Sequence, residues 1–158
     1  MRALVQRVSR GGVAIAGVQT AAIARGFVIL LGIRKGDSSG DARYLAEKCA
    51  RLRVMEDGGG RMNLALGDVG GQALVVSQFT LYGDAHRGNR PGFSDAAPPE
   101  EALPLYEEFV RTMREHLGAS NVCTGDFGAM MEISIVNDGP VTILIESPTQ
   151  HQTRSATT

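Results

Sequence analysis

The chain has 158 residues, a formal net charge of −1, 43% hydrophobic and 21% charged residues, which suits one compact soluble domain and sets aside a disordered or strongly basic polypeptide. Its longest apolar run, residues 27–31, is far too short to cross a bilayer, and MRALVQRV at the start mixes charge into a strand pattern where a secretory leader has an apolar block. A cytoplasmic location is therefore expected, with Cys49 and Cys123 as reduced small hydrophobes, since neither cysteine has a Cys or His partner at ligand spacing.

In chain order, residues 2–15 read as a long strand that Gly11-Gly12 can bend, and Gly17 turns it into a short strand over 18–23. Arg25-Gly26 reads as the next turn and 27–33 as an apolar strand, giving an antiparallel meander. Ser38, with Asp41 three residues later, opens a helix whose Leu45, Cys49 and Leu52 share one face. The triplet Gly58-Gly59-Gly60 lacks the Gly-Lys-Ser/Thr of a phosphate loop and reads as a flexible turn.

After a turn at Gly70-Gly71, residues 73–84 (ALVVSQFTLYGD) read as a central strand, with Gln78 and Thr80 on one face and Ser77 and Phe79 on the other. An irregular stretch follows, and Pro98-Pro99 with Glu100-Glu101 start a second helix that Gly118 ends. Its apolar face is Tyr106, Phe109, Val110, Met113 and Leu117. A short strand over 121–124 precedes an alternating one in which Met131, Ile133 and Ile135 face the core. Asn137 to Pro140 read as a hairpin turn into a last strand, 141–146. The expected class is α+β, a curled antiparallel β-sheet or barrel-like core with two packed helices, in one domain over 1–147 and with a disordered tail over 148–158.

Chemistry is sparse. His86 is the histidine nearest Thr80, so a triad of Thr80 or Ser77 with His86 and Asp84 or Asp95 can be drawn, but the spacing matches no nucleophile elbow. Local arginine clusters, Arg51, Arg53 and Arg61 or Arg87 and Arg90, could grip phosphate although the net charge advertises no nucleic acid.

Five segments carry a resemblance: LVQRV at 4–8, VVSQFTL at 75–81, Arg90-Pro91 with Phe93-Ser94, Thr124-Gly125 with Phe127, and NDGPVT at 137–142. In order and spacing the chain resembles the D-aminoacyl-tRNA deacylase family from Met1 to about Ser147, with Gly92 where that family usually carries Ser. The resemblance implies a homodimer, with no membrane association and no metal or other cofactor required, that cleaves the ester joining a D-amino acid, or glycine mischarged on tRNA-Ala, to the 3′ CCA end of tRNA. It implies that Gly139-Pro140 is cis, has its carbonyls fixed by Arg7, and reaches into the partner's active site for chiral selection. Backbone N–H groups of Phe79 and Thr80 would receive the oxyanion, and Ser77, Gln78, Phe127 and Met131 would line the substrate pocket. A small-molecule-binding barrel and a non-catalytic RNA-binding dimer are the other readings, and both would leave the ester intact.

Overall fold

The computed structural model describes residues 1–148, so the expected tail, 148–158, lies outside the described residues except for Pro148. Strands β1 (Arg2–Ile15) and β2 (Val18–Ile23) form a hairpin whose turn residues Ala16 and Gly17 have φ of 49° and 81°, as two-residue hairpin turns require. The expected reversal at Arg25-Gly26 does not occur. β3 (Gly26–Gly32) continues in the direction of β2, and the two pair in succession along one edge of β1, Gly11↔Ile23 and then Val8↔Gly26 to Arg2↔Gly32. Gly26 is there for close approach and not for turning: a Cβ on it would lie 1.8 Å from the Gln72 carbonyl oxygen.

Ser38 caps α1 (Ser39–Ala50) by the expected reciprocal bonds with Asp41. β4 (Met55–Glu56) and β5 (Met62–Leu64) then pair around the glycine triplet. That loop is locally organised: the Asp57 carboxylate accepts the N–H groups of Gly59 (2.9 Å) and Arg61 (3.0 Å), which holds its acidity below the usual carboxylate range.

β6 (Gln72–Ser77) follows, then a single 3₁₀ turn, Phe79–Tyr82, then α2 (Pro99–Leu117) and β7 (Val122–Thr124). β6 pairs parallel to β3, and β7 parallel to β6. The sheet is therefore mixed, a correction to the antiparallel expectation. Both parallel pairs are joined by long connections that contain a helix, which is what a parallel crossover needs. Finally β8 (Glu132–Glu146) runs antiparallel along the free edge of β1 as one strand, so the expected turn at Asn137 to Pro140 is instead an irregularity within it.

The curled sheet packs apolar side chains on both faces. Helices α1 and α2 cover one face, where Leu45, Cys49, Tyr106, Phe109 and Met113 meet Phe27, Ile29, Leu31 and Val75. Burial pushes the Cys49 thiol up to about 12, consistent with an inert core thiol. Within the curl Val8, Val13, Ile23, Val28, Leu74 and Val76 pack against half-buried Met131, Ile133 and Ile135, each fully buried residue contributing about 1.5–3 kcal/mol.

Candidate active site

β6 stops at Ser77, four residues earlier in the SQFTL stretch than an uninterrupted strand through Leu81 would allow. Gly32 explains the stop. A Cβ there would lie 3.1 Å from Leu81 Cβ and 3.2 Å from the Gln78 carbonyl, so its bare backbone lets the chain fold over the end of β3. The Gln78 N–H still reaches the Leu31 carbonyl at 2.8 Å, after which residues 79–82 wind into the 3₁₀ turn. Strand alternation consequently does not govern Gln78 and Thr80; the turn brings them together, and the Gln78 amide donates to Thr80 Oγ1.

Phe79 and Thr80 open that turn, so their N–H groups precede any intrahelical acceptor, and Gln78 makes no side-chain cap over them. Both donors therefore sit at an uncapped helix start. The Phe79 ring is exposed and meets Phe93 edge-on, with centroids 5.1 Å apart.

Among the described residues, no hydrogen bond joins Thr80 or Ser77 to His86, so the triad drawn from the sequence is not assembled. His86 Nδ1 lies 2.6 Å from Asp84 Oδ1, with the His86 side chain 94% exposed, and Asp95 pairs with Arg34 at 3.5 Å. Asp84 is more acidic than usual because it accepts the His86 backbone N–H and then the His86 ring. Among the described residues, the hydrogen bond recorded at Thr80 Oγ1 comes from an amide, which cannot act as a base.

Phe127 and Met131 lie in the segment after β7, at the same end of the sheet as Ser77 and Gln78. The Gly125 N–H donates to the Val75 carbonyl (3.0 Å), and Met131 Sδ fills the space where a Gly125 Cβ would be. Phe127 rests on Tyr106, centroids 5.6 Å apart, and Tyr106 is fixed by its hydroxyl donating to the Val75 carbonyl at 2.9 Å. An open groove of about 640 Å³ runs from Thr124 and Phe127 along α2. Of the four residues expected in the pocket, Phe127 lines this groove and Ser77, Gln78 and Met131 do not. Ser77 and Gln78 end β6, and Gly125, against which Met131 packs, directly follows β7, at the carboxyl ends of parallel strands, where open α/β sheets place ligands.

Arg7 and Gly139-Pro140 form a second constellation. Gln6 pairs with Thr142 and Val8 with Asn137, leaving residues 138–141 to bulge opposite Arg7. The peptide bond Gly139-Pro140 is cis, as expected, and Gly139 has φ of 121°. Arg7 is 5% exposed; its guanidinium donates to the carbonyls of Val54 (2.8 Å) and Asp138 (3.2 Å) and pairs with the Asp138 carboxylate (3.2 Å). It therefore grips the residue before the dipeptide and not the dipeptide's own carbonyls, which corrects that detail. Asn137 Nδ2 clamps the bulge by donating to the carbonyls of Arg7 (2.9 Å) and Val141 (3.0 Å). Gly139 and Pro140 themselves are exposed.

These two constellations are apart in one chain. Arg7 is level with Phe27 and Ala73, whereas Ser77 is level with Leu31 and Ala3, a separation of four residues, or about 13 Å along the strands. Gly139-Pro140 also lies beyond β1, on the opposite edge from β3 and β6.

Val54, Asn137 and Tyr106 were not singled out as site residues from the sequence. Tyr106 was legible only as part of an apolar helix face, and nothing local to Arg7 points to a carbonyl 47 residues away. Asn137 lies inside the NDGPVT motif, the one signal that could have found it.

A family model described as D-Tyr-tRNA(Tyr) deacylase matches residues 4–146. Curated relatives named D-aminoacyl-tRNA deacylase include that of Anaeromyxobacter dehalogenans, 57% identical over 147 residues that cover 93% of this chain and 97% of the relative. That of Roseiflexus sp. is 58% identical, covering 93% and 94%. A solved structure titled c-Myc DNA Unwinding Element Binding Protein matches with TM-score 0.89 and 41% identity over 94% of this chain and 99% of that one. Another, titled as a probable eukaryotic D-amino acid tRNA deacylase, shares the fold with TM-score 0.77 at 16% identity, over 92% and 98%. A model match over 4–146, with relatives above one half identity across almost their whole length, establishes that this chain belongs to the D-Tyr-tRNA(Tyr) deacylase family.

Proposed function

We propose that this chain hydrolyses the ester linking a D-amino acid to the terminal adenosine of tRNA, acting as a homodimer in which Gly139-Pro140 of each subunit completes the site of the other. The observation that carries the shared-site reading is the firmly held, exposed dipeptide opposite Arg7, about 13 Å along the strands from the level of Ser77, where its own chain turns into Phe79 and Thr80. A recognition element braced by Arg7 and Asn137 yet remote from the donors in its own chain is explained if it serves a second copy. Exposed apolar side chains on the same molecule, Phe79, Val136 and Leu144, suit burial against that copy.

In the chemistry proposed, the N–H groups of Phe79 and Thr80 stabilise the oxyanion of the tetrahedral intermediate. A water, assisted by the ribose 2′-OH of the substrate, attacks the carbonyl, since among the described residues the hydrogen-bond partner of Thr80 Oγ1 is the Gln78 amide and not a base. Ser77, Gln78, Phe127 and Met131 surround the aminoacyl-adenosine end. Chirality is read by exclusion: the dipeptide occupies the space an L side chain would need, so L-aminoacyl groups collide while D-aminoacyl groups of differing side chains pass. Glycine has no side chain to exclude, and glycine mischarged on tRNA-Ala is then also cleaved.

Deacylation of matched D-, L- and glycyl-tRNA, read alongside sedimentation, tests this. Loss of D and glycyl esters with L esters spared, by a dimer, is the expected result; equal cleavage of D and L, or full selectivity in a strict monomer, would overturn it.

A further inference from the structure

The basic loop over residues 84–92 hangs directly from the 3₁₀ turn that carries the Phe79 and Thr80 donors. The Gly83 N–H donates to the Thr80 carbonyl at 2.9 Å, and Phe93 on the far side of the loop packs edge-on against Phe79, centroids 5.1 Å apart. Two backbone bonds close its neck, Asp84 N–H to the Gly92 carbonyl and the reverse, each 2.8 Å. The loop is thus fixed at its base to the site and open to solvent at its tip.

Its charges are unevenly engaged. The acidic groups at either end are occupied, Asp84 by His86 and Asp95 by Arg34. Arg87 and Arg90 are exposed, and neither has a hydrogen bond or ion pair among the described residues. Arg53 is tied to Asn63, and Arg43 and Arg111 to Glu108. Arg10, Arg25, Arg51 and Arg61 are exposed and without a side-chain bond among the described residues as well, so what sets Arg87 and Arg90 apart is the loop's attachment to the Phe79–Tyr82 turn. Two free guanidinium groups on a closed loop at the rim of the site form a local positive field that the net charge of −1 conceals. A guanidinium is a planar fork of donors matched to phosphate oxygens.

We propose that Arg87 and Arg90 bind phosphodiesters of the single-stranded 3′ end of the RNA substrate and position its terminal nucleotide over Phe79 and Thr80. This rests on the function proposed above. The phosphodiester of the terminal adenosine is one ribose away from the ester, so a cation at the rim of an ester-cleaving site meets it first. The arginines are positioning residues: they act on capture of the strand and not on the carbonyl.

The test compares two substrates, D-aminoacyl-tRNA and the D-aminoacyl ester of adenosine, which has no phosphodiester. For Arg87→Gln/Arg90→Gln, KM on the tRNA substrate rises about ten-fold with kcat unchanged. The slope of log kcat/KM against log salt becomes shallower by about 1.4, or about 0.7 per contact on a single strand. On the adenosine ester the variant matches the parent enzyme. Arg87→Lys/Arg90→Lys recovers most of the salt slope, and the single Arg87→Gln change shows about half the effect. An equal rise in KM on both substrates, or an unchanged salt slope, would overturn the proposal. A parent enzyme that cleaves the adenosine ester but whose variants behave alike on tRNA refutes the loop's role alone. A parent enzyme that cleaves neither substrate removes the function it rests on.

Discussion

Replacing Arg7 separates a structural role from a selective one. Arg7 is 5% exposed, and its two backbone acceptors, the carbonyls of Val54 and Asp138, lie on segments distant in sequence. In Arg7→Ala the buried bond to Val54 is lost and its carbonyl left unpaired, at a cost of about 1.5–3 kcal/mol for a charge-assisted bond. The pairs with Asp138 and Glu56 involve carboxylates about half exposed, 47% and 54%, so together they add only about 1 kcal/mol. A total of about 3 kcal/mol should lower Tm by roughly 6–12 °C in a chain of this size. The same change frees residues 138–141 from their brace. Calorimetry and deacylation of paired D- and L-aminoacyl-tRNA are the assays. The expected result is a folded protein whose ratio of D to L cleavage falls at least ten-fold. Arg7→Lys keeps the charge but cannot span both carbonyls, so it should lose selectivity with a smaller drop in Tm. A variant with the full drop in Tm and undiminished selectivity would show that Arg7 holds the fold and nothing more.

Three further outcomes are expected. Thr80→Ala removes a hydroxyl whose recorded partner is the Gln78 amide, so single-turnover deacylation should fall by less than about ten-fold; a loss of several orders of magnitude in a folded protein would make Thr80 a nucleophile after all. Gly26→Ala places a methyl 1.8 Å from the Gln72 carbonyl oxygen and should prise β3 from β6, costing more than about 3 kcal/mol in denaturant unfolding; near-normal stability would mean that the two strands are not packed as described. Gly59→Ala brings a methyl to 3.4 Å from Asp57 Oδ1, an ordinary contact, so KM for tRNA should be unchanged within about two-fold, and a large rise would identify the hairpin loop as a substrate contact.

Both helices and three of their four ends were legible in the sequence alone, because capping is local; the first helix, expected to carry Leu52 on its apolar face, ends instead at Ala50. Ser38 with Asp41, Pro98-Pro99 before Glu100, and Gly118 after Leu117 each act within a turn of the boundary they set. Membership of the family was likewise legible, since SQFTL and NDGPVT are contiguous words. What only the tertiary structure decided is which distant backbone each of these words meets. Gly26 looks like a turn glycine until Gln72 is placed against it, and the SQFTL stretch looks like a continuing strand until Gly32 makes room for it to fold over. Parallel pairing of β3 with β6 depends on a crossover longer than any local signal. The grip of Arg7 on Val54 joins groups 47 residues apart, and the gap between Gly139-Pro140 and Phe79-Thr80 exists only once strand register is set. Local rules act through bonds and neighbours a few residues away, whereas register and close approach are set by the whole core packing at once.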